Sequence, residues 1–480
     1  MMAAAAARFL QDGQRTITLV ESDAIGTVGV GEATIPPIRA FNAMLGIEER
    51  AFLQATGGTI KLGIEFTGWD TGEDRYFHPF GSYGQDIQGI AFHQLWLKLR
   101  DRPETGAIDL YSMAAVAARE GRFATKGADP RGPVSTMAHA YHFDAGLYAG
   151  FLRVRAEAAG VRRIEGRIAE VERRQADGHV SAVRLDNGRR IEGELFVDCS
   201  GFRSLLLGDA MGVPFEDWSA WLPCDRALAA PTVRKGAPVP FTKAIARPAG
   251  WQWRIPLQHR TGNGHVYASA FSTDVEAEAV LMTGLDAPLL GEPRLLSFTA
   301  GRRIRQWEGN VVALGLAAGF LEPLESTSIH LVQTGISKLL ALFPDQRSTA
   351  IERNTFNRFM DDAYVGVRDF IILHYHATRR DDSALWRHVR TMTIPDSLAA
   401  KLALFREKGR VFRYDDELFT VGSWVSVMLG QNVTPLGYDP LVDALDTERV
   451  ADALRRMREA NAATARLMPT HADWLASRPM

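Results

Sequence analysis

A chain of 480 residues is long for a single core and points to two or three subdomains. A formal net charge of −2, with 46% hydrophobic and 23% charged residues, fits a globular protein and gives no electrostatic case for nucleic acid or an anionic membrane. Two cysteines, Cys199 and Cys224, cannot build a disulfide framework and fit a reducing, cytoplasmic compartment. No apolar run approaches the ~18 residues of a membrane span. The alanine-rich start lacks the basic region and full apolar core of a signal peptide.

In chain order, residues 1–10 predict a helix and residues 16–20 (TITLV) a strand closed by Glu21. A helix, a turn and a strand ending in an acid form the second half of a dinucleotide-binding βαβ unit, where the acid accepts hydrogen bonds from an adenosine ribose. The bland alternative is an exposed strand-end carboxylate. The first half of such a unit, a strand and a G-x-G-x-x-G turn, is expected ahead of this helix and does not occur in the sequence. Residues 26–37 (GTVGVGEATIPP) place three glycines within six residues, which suits either a surface loop or close backbone approach to a ligand.

Residues 57–69 (GGTIKLGIEFTGW) predict one strand, with Ile60, Leu62, Ile64 and Phe66 alternating against Lys61, Gly63 and Glu65. Lys61 is then either solvated or a donor projecting into a cavity. Residues 75–81 and 92–99 are aromatic-rich and suit a core or a pocket lining. Residues 139–153 lead into a helix capped by Asp144. Residues 162–201 predict consecutive strands, bent at Gly178 and at Asp186-Asn187-Gly188. This is a β-meander before a return to a parallel sheet, and residues 198–203 are either a cofactor contact or a plain strand end.

Residues 251–256 (WQWRIP) put Trp251 and Trp253 on one face of a strand and Arg254 on the other. Each indole N–H wants a partner, so a cavity wall competes with ordinary core packing. Strands around 265–272 and 294–306 lead to residues 310–343. There an apolar run, 311–316, turns through Ala317-Ala318-Gly319 and becomes a helix after Pro323. Ser326, Thr327 and Ser328 stand where their hydroxyls can cap that helix. Such a helix start favours an anion or an electron-rich cofactor edge, and Glu325 lies beside it. Residues 368–378 predict one apolar-faced helix on which His374 and His376 diverge, so no metal site is expected. Residues 422–429 and 450–467 predict further helices.

Four of these stretches occur together in a known family. GVGEATIP, the lysine of TIKLGIEF, WQWRIP and GFLEPLESTSIHL resemble the flavin-dependent halogenases of the tryptophan halogenase type. The W-x-W-x-I-P motif, here Trp251, Trp253, Ile255 and Pro256, separates that family from related flavin monooxygenases. The resemblance implies an α/β fold: a Rossmann-like FAD-binding domain with a β-meander, from residues 1–61, 136–207 and 300–345. It also implies an inserted substrate-side region (62–135 and 208–299) and a mostly helical C-terminal part (346–480).

By the same resemblance, Lys61 activates the halogenating species and Glu325 works with it. Thr327 and Ser328 flank the halide. Val30, Gly31, Glu32 and Ala33 form the flavin strap, Leu316 and Leu331 contact flavin, and Glu21 keeps its ribose role. Trp251, Trp253, Ile255 and Pro256 wall flavin from substrate. FAD is expected as FADH2 from a separate flavin reductase, with chloride or bromide as co-substrate and a small aromatic molecule as acceptor. No metal, nucleic acid or membrane partner is expected, and a homodimer is compatible. Ser328 replaces a glycine common at the halide site. The clamp that holds tryptophan's ammonium and carboxylate in some members has no residue-by-residue match, so indole and other electron-rich arenes stand beside tryptophan. A flavin-dependent aromatic hydroxylase and a non-catalytic flavin-fold protein are the competing readings.

Overall fold

The computed structural model describes residues 1–26, 31–125, 132–345, 350–414 and 416–477. Asp144 begins the helix Ala145–Ala158, accepting from the Gly146 and Leu147 amides at 3.0 and 3.1 Å, as the cap reading expects. The helix Met2–Phe9 packs against it. Strand Thr18–Glu21 runs parallel to Arg162–Glu165, with Glu21 opposite Glu165. Facing carboxylates repel, and Arg163 bridges them with 2.6 Å bonds to each.

The predicted meander is present as Ile168–Arg173, Val180–Leu185 and Arg190–Glu192, an antiparallel sheet turned at Gly178 and Gly188, both at positive φ. The chain then returns to a parallel pairing, Phe196–Asp198 with Val311–Ala313. The buried Asp198 carboxylate accepts from the Ser200, Leu206 and Leu207 amides, each at 2.9 Å, and so closes its own strand end. Asn310 docks the meander on this pair. It accepts from the Val180 amide and donates to the Val180 and Glu194 carbonyls.

Among the described residues the largest sheet has seven strands, in the order Arg294–Ser297, Arg226–Val233, Arg260–Tyr267, Gly250–Pro256, Thr242–Arg247, Gly63–Thr67 and Arg75–Pro79. The tryptophan strand, Gly250–Pro256, is central. Trp253 lies opposite Gly264, where a Cβ would stand 2.0 Å from its ring, so only glycine lets the indole lie flat on the neighbouring strand.

Three expectations need correction. Residues 57–69 are two strands, Thr59–Lys61 and Gly63–Thr67, in different sheets. The Leu62 amide bonds the Pro240 carbonyl at 2.7 Å as the chain crosses over. Residues 59–66 are buried on both faces, so the alternation does not mark a solvated side. The apolar run 311–316 is strand only to Ala313, because Gly315, at φ 64, opens a 3-10 turn. Residues 368–376 end a 27-residue helix, Ala350–His376, and residues 367–375 are buried on every side, so this end of the helix is central and has no single apolar face. No helix among the described residues is long and apolar enough to cross a membrane.

Asn310→Ala is expected to destabilise the fold by about 2–4 kcal/mol, because it leaves three backbone groups unpartnered at the meander junction. Urea unfolding of the variant and the wild type measures the difference.

Candidate active site

The site is built on the turn after Pro323. Residues Pro323–Glu325 make one 3-10 turn, and Ser326 then adopts a left-handed conformation at φ 59. A non-glycine residue there is uncommon and is held by its surroundings. Here the Ser326 hydroxyl accepts from Lys61 Nζ at 2.8 Å. Lys61 has 0% exposure and its ammonium also lies 5.2 Å from the Phe80 ring centroid. Burial lowers its pKa to about 7, against the opposing pull of Glu325.

Glu325, also at 0% exposure, does not bond Lys61 directly. Its carboxylate takes 3.0 Å contacts from His78 Nδ1 to both oxygens and lies 2.9 Å from His374 Nε2. Burial pushes the carboxyl upward, but the two imidazoles override it and hold it at about 2. His78 reaches it because strand Arg75–Pro79 packs tightly on Gly63, where a Cβ would stand 2.3 Å from the His78 carbonyl. His374 donates its other ring nitrogen to the Phe370 carbonyl at 2.8 Å, one helical turn back.

On the other side of Ser326, Thr327 precedes the 14-residue helix Ser328–Ala341. The expected hydroxyl caps are not formed. Ser326 Oγ is taken by Lys61, and no side chain caps the helix start. The αL turn at Ser326 aims its hydroxyl away from the helix amides. The buried Thr327 hydroxyl has no protein partner, although buried polar groups are normally paired. Uncapped amides beside an unpartnered hydroxyl are a ligand-ready arrangement. Ser328 is half-buried at the first turn, Leu331 is buried, and Leu316 is half-buried in the 3-10 turn that packs on this helix.

The tryptophan strand links these parts. Trp251 is buried, 6.4 Å from the Trp69 ring, and its indole nitrogen lies 3.5 Å from Glu322. Glu322 also accepts from Tyr375 at 3.0 Å, and burial raises its carboxyl to about 7. Trp253, 6.1 Å from Trp251, packs instead with Ala33, Ile255 and Leu257. Gly31 lies against Ile255 and Leu257 as well. The Pro256 carbonyl accepts from Thr59, two residues before Lys61, at 2.6 Å.

The chain as a whole has counterparts. The tryptophan halogenase family matches residues 1–447. The chain belongs to that family. The tryptophan 6-halogenase SttH of Streptomyces toxytricini is 34% identical over 92% of this chain and 90% of its own. The tryptophan 7-halogenase RebH of Lentzea aerocolonigenes is 36% identical over 82% and 77%. Among solved structures, the flavin-dependent halogenase Xcc4156 of Xanthomonas campestris aligns with a TM-score of 0.96 at 48% identity, over 99% of this chain and 95% of that one. BrvH, a flavin-dependent halogenase of Brevundimonas sp. BAL3, aligns with a TM-score of 0.96 at 46% identity, over 100% and 96%. The expected FAD-binding α/β fold is therefore the fold of this chain, and by family it is a flavin-dependent halogenase enzyme.

Of the nominated residues, the structure brings Lys61, Glu325, Thr327 and Ser328 to one turn and joins it to Trp251 through Glu322. Gly31 and Ala33 meet Trp253 and Ile255, while Glu32 pairs opposite Phe143. Glu21 lies apart, bonded to Arg163 and Arg153. Val30 falls outside the described residues. Among the described residues no group of three or more acids, histidines or cysteines could hold a metal. Sequence reading missed His78, His374 and Glu322. The one available signal was the divergence of His374 and His376, which leaves only one of them to face any given site.

A carboxyl held below its unfolded value of about 4.3 contributes stability above that pH and loses it as the pH falls toward about 2. The stability advantage of wild type over Glu325→Gln is therefore expected to shrink between pH 6 and pH 3, as read from urea midpoints.

Proposed function

We propose that the protein uses FADH2, dioxygen and halide to halogenate an electron-rich arene, whether tryptophan, indole or a related ring, with Lys61 presenting the halogenating species. The observation that carries this reading is a fully buried lysine bonded to Ser326, beside Glu325, in the turn that ends in an uncapped helix start.

The residues present suit FAD. Gly31 and Ala33 lie against the tryptophan strand and Leu316 and Leu331 flank an uncapped helix start, while Glu21, which would meet the ribose, is engaged by Arg163 and Arg153. Dioxygen reduced at the flavin would convert halide to hypohalous acid, and a separate flavin reductase would supply the reduced cofactor. The free amides and the Thr327 hydroxyl are donors suited to halide. Ser328, in place of the family's common glycine, adds a hydroxyl there. Trp253 on the strap side and Trp251 on the Glu322 side support a wall between oxidant formation and arene.

Lys61 then holds the hypohalous acid by its ammonium or, once neutral, accepts the halogen as a haloamine; a pKa of about 7 makes both forms accessible near neutrality. The arene carbon bonds the halogen as the halogen–oxygen or halogen–nitrogen bond breaks. With hypohalous acid the ring proton and the departing hydroxide leave as water; with the haloamine, itself formed with loss of water, the ring proton replaces the halogen on the lysine nitrogen. Glu325, kept anionic by His78 and His374, stabilises the positive charge on the ring.

Lys61→Ala is expected to lower brominated-indole yield by about 100-fold or more while reduced flavin is still oxidised. Product mass spectrometry beside flavin absorbance measures both, and an unchanged yield would remove the lysine from the mechanism.

A further inference from the structure

Strand Thr59–Lys61 is an edge strand: one side pairs with Ala140–Phe143, and the other faces residues 238–240. Successive amides alternate between the two edges. Those of Ile60 and Leu62, on either side of Lys61, point outward. Leu62 bonds the Pro240 carbonyl directly at 2.7 Å. Between Ile60 and Pro238 stands the imidazole of His471, from the last described helix, His471–Ala476. Its Nε2 accepts from the Ile60 amide at 3.2 Å, and its Nδ1 donates to the Pro238 carbonyl at 2.8 Å. A carbonyl only accepts and an amide only donates, so both partners select one neutral tautomer. The ring acts as a surrogate peptide unit that completes the ladder beside Lys61.

His471 is itself firmly placed. It is 1% exposed, and burial lowers its pKa to about 4, which keeps the ring neutral. Its own amide bonds the Gly121 carbonyl at 2.8 Å, the Phe123 amide bonds Pro469, and Arg122 bridges Thr470. Phe123 and Trp474 pack edge-on at 4.7 Å. The family match ends at residue 447, so this contact comes from outside the matched region.

We propose that His471 is a positioning residue for Lys61: its imidazole pins the outer edge of the lysine strand and so fixes where the ammonium meets the halogenating species. The proposal rests on the lysine reading above. A shift of about 1 Å at a reacting group can cost about 100-fold in rate, whereas the proposed halide site lies on a different element, the Thr327–Ser328 helix start.

The test uses the full chain with FAD, a flavin reductase, bromide and indole, and measures brominated indole and scavenger-trapped hypobromous acid per flavin oxidised. His471→Leu keeps the bulk and removes both bonds. Its product is expected to fall about 10- to 100-fold while trapped hypobromous acid persists or rises. His471→Gln, whose amide offers one donor and one acceptor, is expected to restore part of the product. Unchanged product in His471→Leu, or product and trapped acid falling together in His471→Gln, overturns the proposal; the second criterion decides even if the leucine variant fails to fold. Lys61→Ala in parallel separates the two claims. If it still brominates indole, the lysine reading fails and takes this inference with it. If it is inactive while His471→Leu is unaffected, only the inference fails.

Discussion

A buried ammonium needs a partner, and the bond from Lys61 to Ser326 supplies it across 265 residues of chain. Removing a cation from water costs several kcal/mol unless hydrogen bonds and nearby charge offset it. Ser326, the Phe80 ring face and the field of Glu325 share that task. Glu325 in turn is a buried anion that His78 and His374 hold from two different elements. The close packing on Gly63 and the left-handed backbone at Ser326 serve the same end, which is to seat two opposite charges in the interior without joining them in a direct salt bridge.

That constraint gives residues 323–328 two sides. The Ser326 turn directs Glu325 to the histidines and Ser326 to the lysine, and leaves the Thr327 hydroxyl and the helix start without protein partners. The central tryptophan strand touches both sides, through Glu322 at Trp251 and through the strap cluster at Trp253. Its last residue, Pro256, holds Thr59 near the lysine. One strand thus ties residues 31–33, the turn and the lysine together, as the proposed separation of oxidant formation from its use requires.

Much of this was legible in the sequence because it is written locally. Asp144 announces its helix, Gly178 and Gly188 mark the meander's bends, and the tryptophan strand reads as a strand from its composition. Lys61, Glu325 and the tryptophans were reached through the motifs that carry the family resemblance. The rest depends on long-range pairing with no local signature. His78 meets Glu325 across 247 residues and His471 meets Ile60 across 411. Capping by Ser326 was a sound local expectation that a tertiary bond overrode. The alternation in residues 57–69 misled because a strand buried on both faces carries no polar side to read.

The most direct measurement is the product of wild-type protein turning over indole with FAD, a flavin reductase and air, in the presence and absence of bromide. Halogenation through Lys61 predicts a bromine isotope doublet that requires bromide and no product one oxygen heavier. An oxygenated product formed equally well without bromide would contradict it.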